Sequence, residues 1–386
     1  MSWQNKGLNI RKFIETCGSA EGAAMELRTI LEDEKDGPVI RENFSLRECA
    51  EQLKRPGFEN ATLRHGHLSE AVQVSQFSII VGELISNKVM DSYNAYPKIL
   101  DRLVAPFPSK LQIDKIPGTY VAGVMEDVLP GEPYKHTGDI KDKYVQIEGK
   151  KRGMILDITE EAVMFDQTGT ILYQAGKFGE LAAIDREKRG LYTIMDLTVA
   201  GKTYYCWYPA GTRTAVWANA GGAGHAHEYD NMIVDVLADY TDIDVANLLL
   251  GTMRDENGNN ILVPATQILV PRALLTTATR LIKNSVLPGG TNEERNPYAD
   301  AVEVLHSPII DGCGDTDAIV NWWWGDFKRQ FINKVVYPLQ TLRRRMSDNH
   351  DPAFEQDMIA QYKVREYSQV GAVDYRYVVK STGHGS

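Results

Sequence analysis

The chain has 386 residues, a formal net charge of −10 and a pI near 5.4. It is too long for one compact core and carries the wrong sign for a protein that grips nucleic acid by counterion release. Its hydrophobic fraction of 43% is ordinary for a folded protein, and no apolar run approaches the roughly 18 residues of a membrane span.

The opening Met-Ser-Trp-Gln-Asn-Lys-Gly lacks the apolar block of a secretion signal, so an intracellular origin is expected. Residues 1–70 read as an extended arm with short helices and no core. Ser45-Leu46-Arg47-Glu48 resembles a capping box that starts one of them. From Glu70 to Tyr93 the pattern is regular: Ala71, Val74, Phe77, Val81, Leu84, Val89 and Met90 predict a helix with a broad apolar face.

Alternation at Tyr120, Val121, Val124 and Met125 then predicts a strand that leads out to a turn-rich tip at Pro130 to Lys151. Met154 to Ile158 is the expected returning strand. Thr159 is placed to cap a turn of helix whose apolar face is Ala162, Val163 and Phe165, with Glu160 and Glu161 at its amino end. Ile171, Ala175, Phe178 and Ala182 recur at spacings of four, three and four, one stripe of a longer helix. Lys177, Glu180, Asp185, Glu187, Lys188 and Arg189 fall on its opposite face.

Tyr192 to Ala218 is rich in aromatics, and Gly221-Gly222-Ala223-Gly224 reads as a joint between domains. Beyond it, Asp242 is expected to cap a helix with Val245, Ala246, Leu249 and Met253 on one face, ended by Asp255-Glu256-Asn257-Gly258. A strand at Gln267 to Val270 precedes a helix opened by Pro271 and continued by Leu274, Leu275, Ala278 and Leu281. Strands follow at Ala301 to Leu305, Ala318 to Trp324 and Phe331 to Tyr337, then a basic turn at Arg343-Arg344-Arg345. Two last strands, Met358 to Tyr367 and Ala372 to Val379, are split by Gln369-Val370-Gly371. Helices and strands mixed in this way read as α+β or α/β.

The predicted hairpin has a physical consequence. Its tip, Gly131 to Arg152, holds four acids and six bases and little that is apolar. A lone two-stranded ribbon is marginal in water, so such an arm expects a neighbour, and the mixed charge suits a contact across a subunit boundary. A solvated hairpin that touches nothing is the other reading.

Catalytic patterns are scarce. His225-Ala226-His227 with Glu228 and Asp230 contains two imidazoles and carboxylates, the donor types of a metal-dependent enzyme, but on a glycine-rich loop without a third-ligand pattern. His65-Gly66-His67 lies in the arm and is weaker. Gly221 to Gly224 has no strand-to-helix context for a dinucleotide, and no Walker loop, nucleophile elbow or kinase set is present. The four cysteines, Cys17, Cys49, Cys206 and Cys313, form no CxxC pair and are expected as free thiols. Gly312-Cys313-Gly314-Asp315 reads as a surface loop and Trp322-Trp323-Trp324 as a strand buried between two layers. No metal, no cofactor and no catalytic residue is expected.

Read in order, a set of segments resembles a known family. They are Ile116-Pro117-Gly118-Thr119, Glu126, Gly131-Glu132-Pro133-Tyr134, Lys151-Arg152-Gly153, Ile158-Thr159-Glu160-Glu161-Ala162, Asp166-Gln167-Thr168-Gly169 and Gly179-Glu180-Leu181. The carboxyl half adds Asp239-Tyr240-Thr241-Asp242-Ile243-Asp244, Leu269-Val270-Pro271, Asn296-Pro297, Trp323-Trp324-Gly325-Asp326-Phe327 and Val373-Asp374-Tyr375-Arg376. Together they are similar to the major capsid proteins of tailed bacteriophages, the fold named after phage Hong Kong ninety-seven, in the branch of the phage Mu head subunit.

The resemblance implies an α+β capsid fold. Its parts would be an amino-terminal arm (1–75), a peripheral domain (76–118 and 155–224) with a long spine helix from Thr168 to Met195, an extended E-loop (119–154), an axial α/β domain (225–349) and carboxyl-terminal strands returning to the periphery (350–386). It implies hexamers and pentamers of an icosahedral virion that encloses double-stranded DNA, assembled in the bacterial cytoplasm, with portal, scaffold or decoration proteins as partners. Glu126, Glu132, Tyr134, Lys151 and Arg152 are the inter-subunit contacts it suggests. An encapsulin-like shell around protein cargo shares that fold, and a metal enzyme using His225, His227 and Asp230 is the rival of another class.

Overall fold

The computed structural model describes residues 75–121, 140–159, 167–196, 229–255, 257–284, 296–313, 320–345 and 358–383, with short stretches between 127 and 165 and between 198 and 217. In chain order the elements begin with α1 (Ser75–Ala95), α2 (Leu100–Leu103), β1 (Ala105–Pro108), β2 (Ile113–Val121), β3 (Ile140–Glu148), β4 (Lys150–Thr159) and α3 (Thr168–Met195). Short ladders β5 (Thr198–Val199) with β6 (Lys202–Thr203) and β7 (Cys206–Trp207) with β8 (Arg213–Thr214) follow. Then come β9 (Met232–Ile233), α4 (Tyr240–Thr252), β10 (Gln267–Val270), α5 (Arg272–Lys283), β11 (Glu303–His306), α6 (Pro308–Asp311) and β12 (Trp322–Gly325). The chain closes with α7 (Phe327–Gln330), β13 (Phe331–Arg345), β14 (Met358–Ala372) and β15 (Val378–Ser381). The mixture is α+β, as expected.

Two units emerge, each assembled from separated stretches of chain. The first takes the chain up to Pro97, Lys151–Asp185 and Tyr337–Tyr367; the second takes Lys98–Lys150, Arg186–Val336 and Ser368–Ser386.

In the first unit, α1 buries Val81, Ile85, Val89 and Tyr93 in one row at a spacing of four, and α3 answers with Ile171, Ala175, Gly179 and Ala183. Gly179 is where the backbones meet: a Cβ built there would lie 2.2 Å from the carbonyl oxygen of Val89. Beside the helices, β14 lies between β13 and β4. Ala360, Tyr362 and Val364 are buried in alternation with half-exposed Gln361, Lys363 and Arg365, the period of a strand covered on one face. Leu156 and Ile158 of β4 repeat it. Here Phe165, assigned from sequence to a buried face, is exposed, although Thr159 Oγ1 does accept from the Ala162 N–H at 3.4 Å.

The second unit is built on a five-stranded sheet in the order β11-β10-β12-β15-β9. β10 runs parallel to β11 and antiparallel to β12; β15 is antiparallel to β12 and parallel to β9. Strand alternation sorts the three tryptophans: Trp322 and Trp324 join the core under α4 and α5, and Trp323 joins the opposite core with Leu191, Ile194, Phe327 and Phe331. All three are buried, each removing roughly 200 Å² from water, or about 5 kcal/mol gross. Gly325 ends β12 at φ 148°, and a Cβ there would lie 2.2 Å from the Tyr377 carbonyl oxygen, so only glycine fits.

Several sequence expectations are corrected. Asp239 caps α4, and Asp242 is its third-position partner in the capping box. The buried face of α4 is Ile243, Ala246 and Leu250 with Met253, while Val245 is exposed. Arg343 to Arg345 continue β13 and form no turn, and β14 runs unbroken through Gln369 to Ala372. Glu187 and Arg189, placed on a polar outer face of α3, are both buried. The capping box at Ser45 and the joint at Gly221 to Gly224 lie outside the described residues.

Candidate functional site

The feature best suited to a role beyond its own fold is the hairpin of β2 and β3. Nine residue pairs join the strands antiparallel, from Ile113 with Glu148 to Val121 with Ile140. The ribbon therefore begins earlier than its alternation suggests and returns through Ile140–Glu148. Met154 to Ile158, the expected return, belongs to β4 and pairs in the sheet with β14. The misassignment has a simple cause: β3 is Ile-Lys-Asp-Lys-Tyr-Val-Gln-Ile-Glu, whose charges hid its alternation.

Lys334 of β13 holds the base of the ribbon. Its fully buried ammonium lies 2.6 Å from Asp114 Oδ2 of β2 and donates to the carbonyls of Gln112 (2.9 Å) and Ile147 (3.2 Å). Both strands are thus held by one cation. Burial alone would push the Asp114 carboxyl up, but hydrogen bonds from Lys334 and Ser109 outweigh it and hold the group below its ordinary value. Val145 and Ile147 turn inward to the core, β1 pairs in parallel with the start of β13, and the Ser109 N–H donates to the Val335 carbonyl at 2.9 Å.

A second anchor lies on α3. Glu187 accepts the Leu100 N–H at 3.0 and 3.2 Å, capping α2, whose own N-cap residue Ile99 offers no side-chain oxygen. Burial pushes this carboxyl up to about 7, assisted by Asp101 and opposed by the Leu100 N–H and Arg186. At the end of α3, Asp196 turns into the left-handed region at φ 56° and accepts from the Val216 N–H at 3.0 Å; burial pushes it up to about 6. Neither carboxylate was recognisable as structural from sequence, because each reaches a backbone donor remote in the chain.

Of the residues suggested as inter-subunit contacts, Glu126, Glu132 and Tyr134 lie outside the described residues. Lys151 is exposed on β4, and Arg152 donates to Asp185 of α3 at 3.1 Å. His225 and His227 are outside the described residues and Asp230 is exposed; among the described residues no three His, Cys, Asp or Glu side chains gather as a metal site. His306 and Asp311 approach to 3.2 Å, but Asp311 also accepts the Arg272 N–H at the start of α5, which makes the pair a structural cap.

Solved structures to which the chain is similar include the capsid of a native GTA particle (11% identity, TM-score 0.46, covering 73% of this chain and 88% of that one). Mycobacterium phage Adephagia is another (11%, 0.47, 75% and 91%), as is the virus-like particle from Pyrococcus furiosus (10%, 0.42, 77% and 97%). No curated protein matches the sequence. A family model described as phage capsid protein matches residues 143–381, more than half of the chain, which therefore belongs to the phage capsid protein family and is a major capsid protein.

Proposed function

We propose that this capsid protein self-assembles into hexamers and pentamers of an icosahedral tailed-phage head enclosing double-stranded DNA. Residues 1–75 serve as the arm, 119–154 as the E-loop, 225–349 as the axial domain, and 76–118, 155–224 and 350–386 as the periphery. The E-loop reaches a neighbouring copy, with Glu126, Glu132, Tyr134, Lys151 and Arg152 among the contacts. The protein acts by binding copies of itself and needs no catalysis or cofactor. Portal, scaffold or decoration proteins meet the finished lattice, which is built in the bacterial cytoplasm.

One observation supports this most: a paired ribbon anchored at its base by a buried cation, in a chain of the capsid family. Ordering such a ribbon is worthwhile when another copy covers it. Electron microscopy of the purified, expressed chain tests the reading. Closed particles are expected, and a monomer that persists at high concentration would overturn it. Particles that package protein and never DNA would favour the encapsulin-like alternative.

A further inference from the structure

We infer that the second unit docks head to tail on a second copy of the chain, the outer face of α4 on one copy seating against the outer face of α5 on the next. The inference rests on the self-assembly proposed above and names the surface.

The first observation is the composition of α4. Residues 245–253, Val-Ala-Asn-Leu-Leu-Leu-Gly-Thr-Met, hold no charge at all. The inner face, Ile243, Ala246 and Leu250, is covered by the sheet. Thr241, Val245, Leu248 and Thr252 form a second row at spacings of four, three and four on the outside. Leu248 is 72% exposed on it, and a Cβ built on Gly251 would meet nothing within 4 Å. Val245 and Leu248 are thus exposed within a run that carries no charge, and no described residue of the same copy covers them, so this part of the row expects a partner.

The second observation is charge. From Tyr229 to Met253 the chain carries five acids, Asp230, Asp235, Asp239, Asp242 and Asp244, and no base. Asp235 is pushed above its ordinary value by burial first and then by Asp242 and Asp239, a sign of like charges crowded together. Helix α5 is the reverse: Arg272, Arg280 and Lys283 with no acid. Its outward row, Arg272, Ala273, Thr276 and Arg280, is exposed, small in the middle and cationic at its ends.

The third observation is placement. Both helices cover the same face of the sheet, but α4 packs on β15, next to the edge strand β9, whereas α5 packs on β10 and β11 at the other edge. An acidic apolar edge and a basic edge at opposite ends of one sheet are complementary between copies and not within one. A contact between two different edges is heterologous, and such contacts close into rings when the rotation from copy to copy divides a full turn.

The test joins Leu248→Cys with Thr276→Cys in the full-length chain, its four native cysteines replaced by serine, and oxidises assembled particles. A ladder of covalent oligomers extending beyond dimers is expected from the double variant and from neither single variant. Dimers from Leu248→Cys alone would mean that α4 meets its own counterpart, and the proposal falls. Particles without any ladder overturn this contact while leaving the shell reading intact; a wild-type chain that forms no particles overturns both. Independently, Leu248→Lys should keep the monomer's unfolding midpoint and lower particle yield at least tenfold. Unchanged yield would overturn the inference.

Discussion

The Lys334 ammonium and the Asp114 carboxylate meet at 2.6 Å with the lysine fully buried. Neither charge is tolerable alone in that position. Lys334→Met should leave the buried Asp114 charge with only its Ser109 hydrogen bond and cost about 3 to 5 kcal/mol, whereas Lys334→Met with Asp114→Leu should recover much of the loss. Urea unfolding of the three chains checks this. Because the folded carboxyl titrates below its ordinary value of 3.8, its contribution is present above that pH and is lost as pH falls through the folded value.

Glu187 has the opposite linkage. Its folded carboxyl titrates at about 7 against an ordinary 4.5, so the stability tied to its proton is complete below pH 4.5 and is lost as pH rises through about 7. A shift of that size corresponds to about 3 kcal/mol. Glu187→Gln keeps an acceptor for the Leu100 N–H without the buried charge. Its midpoint should exceed wild type at pH 8 and approach it at pH 4.5; parallel pH profiles for the two chains would contradict the assignment.

Gly179 and Gly169 sit on the same helix with opposite expectations. Gly179→Ala drives a Cβ to 2.2 Å from the Val89 carbonyl, which must part α1 from α3, and should cost about 2 kcal/mol or more. Gly169→Ala meets nothing within 4 Å and should be neutral or stabilising by up to about 1 kcal/mol. Thermal unfolding of both decides it.

The three tryptophans are not equivalent. Trp322 and Trp324 donate their indole N–H groups to the Asp235 carbonyl (3.1 Å) and Asn247 Oδ1 (2.8 Å), but the buried Trp323 N–H meets no acceptor among the described residues. Trp324→Phe breaks a buried hydrogen bond and takes from Asn247 Oδ1 its indole donor; Trp323→Phe removes an orphaned donor. The second should be less destabilising by about 1 kcal/mol or more, read from chemical denaturation.

Much of the local structure was legible. The apolar period of α1, the strand at Gln267–Val270, Pro271 ahead of α5 and the buried tryptophan strand all follow from spacing and from proline and capping chemistry, whereas in α3 Gly179 and Ala183 are buried where the spacing pointed to Phe178 and Ala182. What misled was charge. Glu187, Arg189 and Lys334 look like surface residues, yet each is buried and bonded to a group far along the chain, with Arg189 donating to the Ser368 carbonyl at 3.1 Å. The charges of β3 mask its alternation in the same way.

The order of residues alone therefore determined most of the helices and strands and, through ordered motifs, the capsid family this chain belongs to, because periodicity and capping act within a few residues. Only the tertiary structure decided which strand closes the ribbon and which charges lie inside. Those outcomes depend on partners contributed by segments up to hundreds of positions away, as with Lys334 and Gln112, 222 residues apart, and no local pattern encodes a partner at that distance.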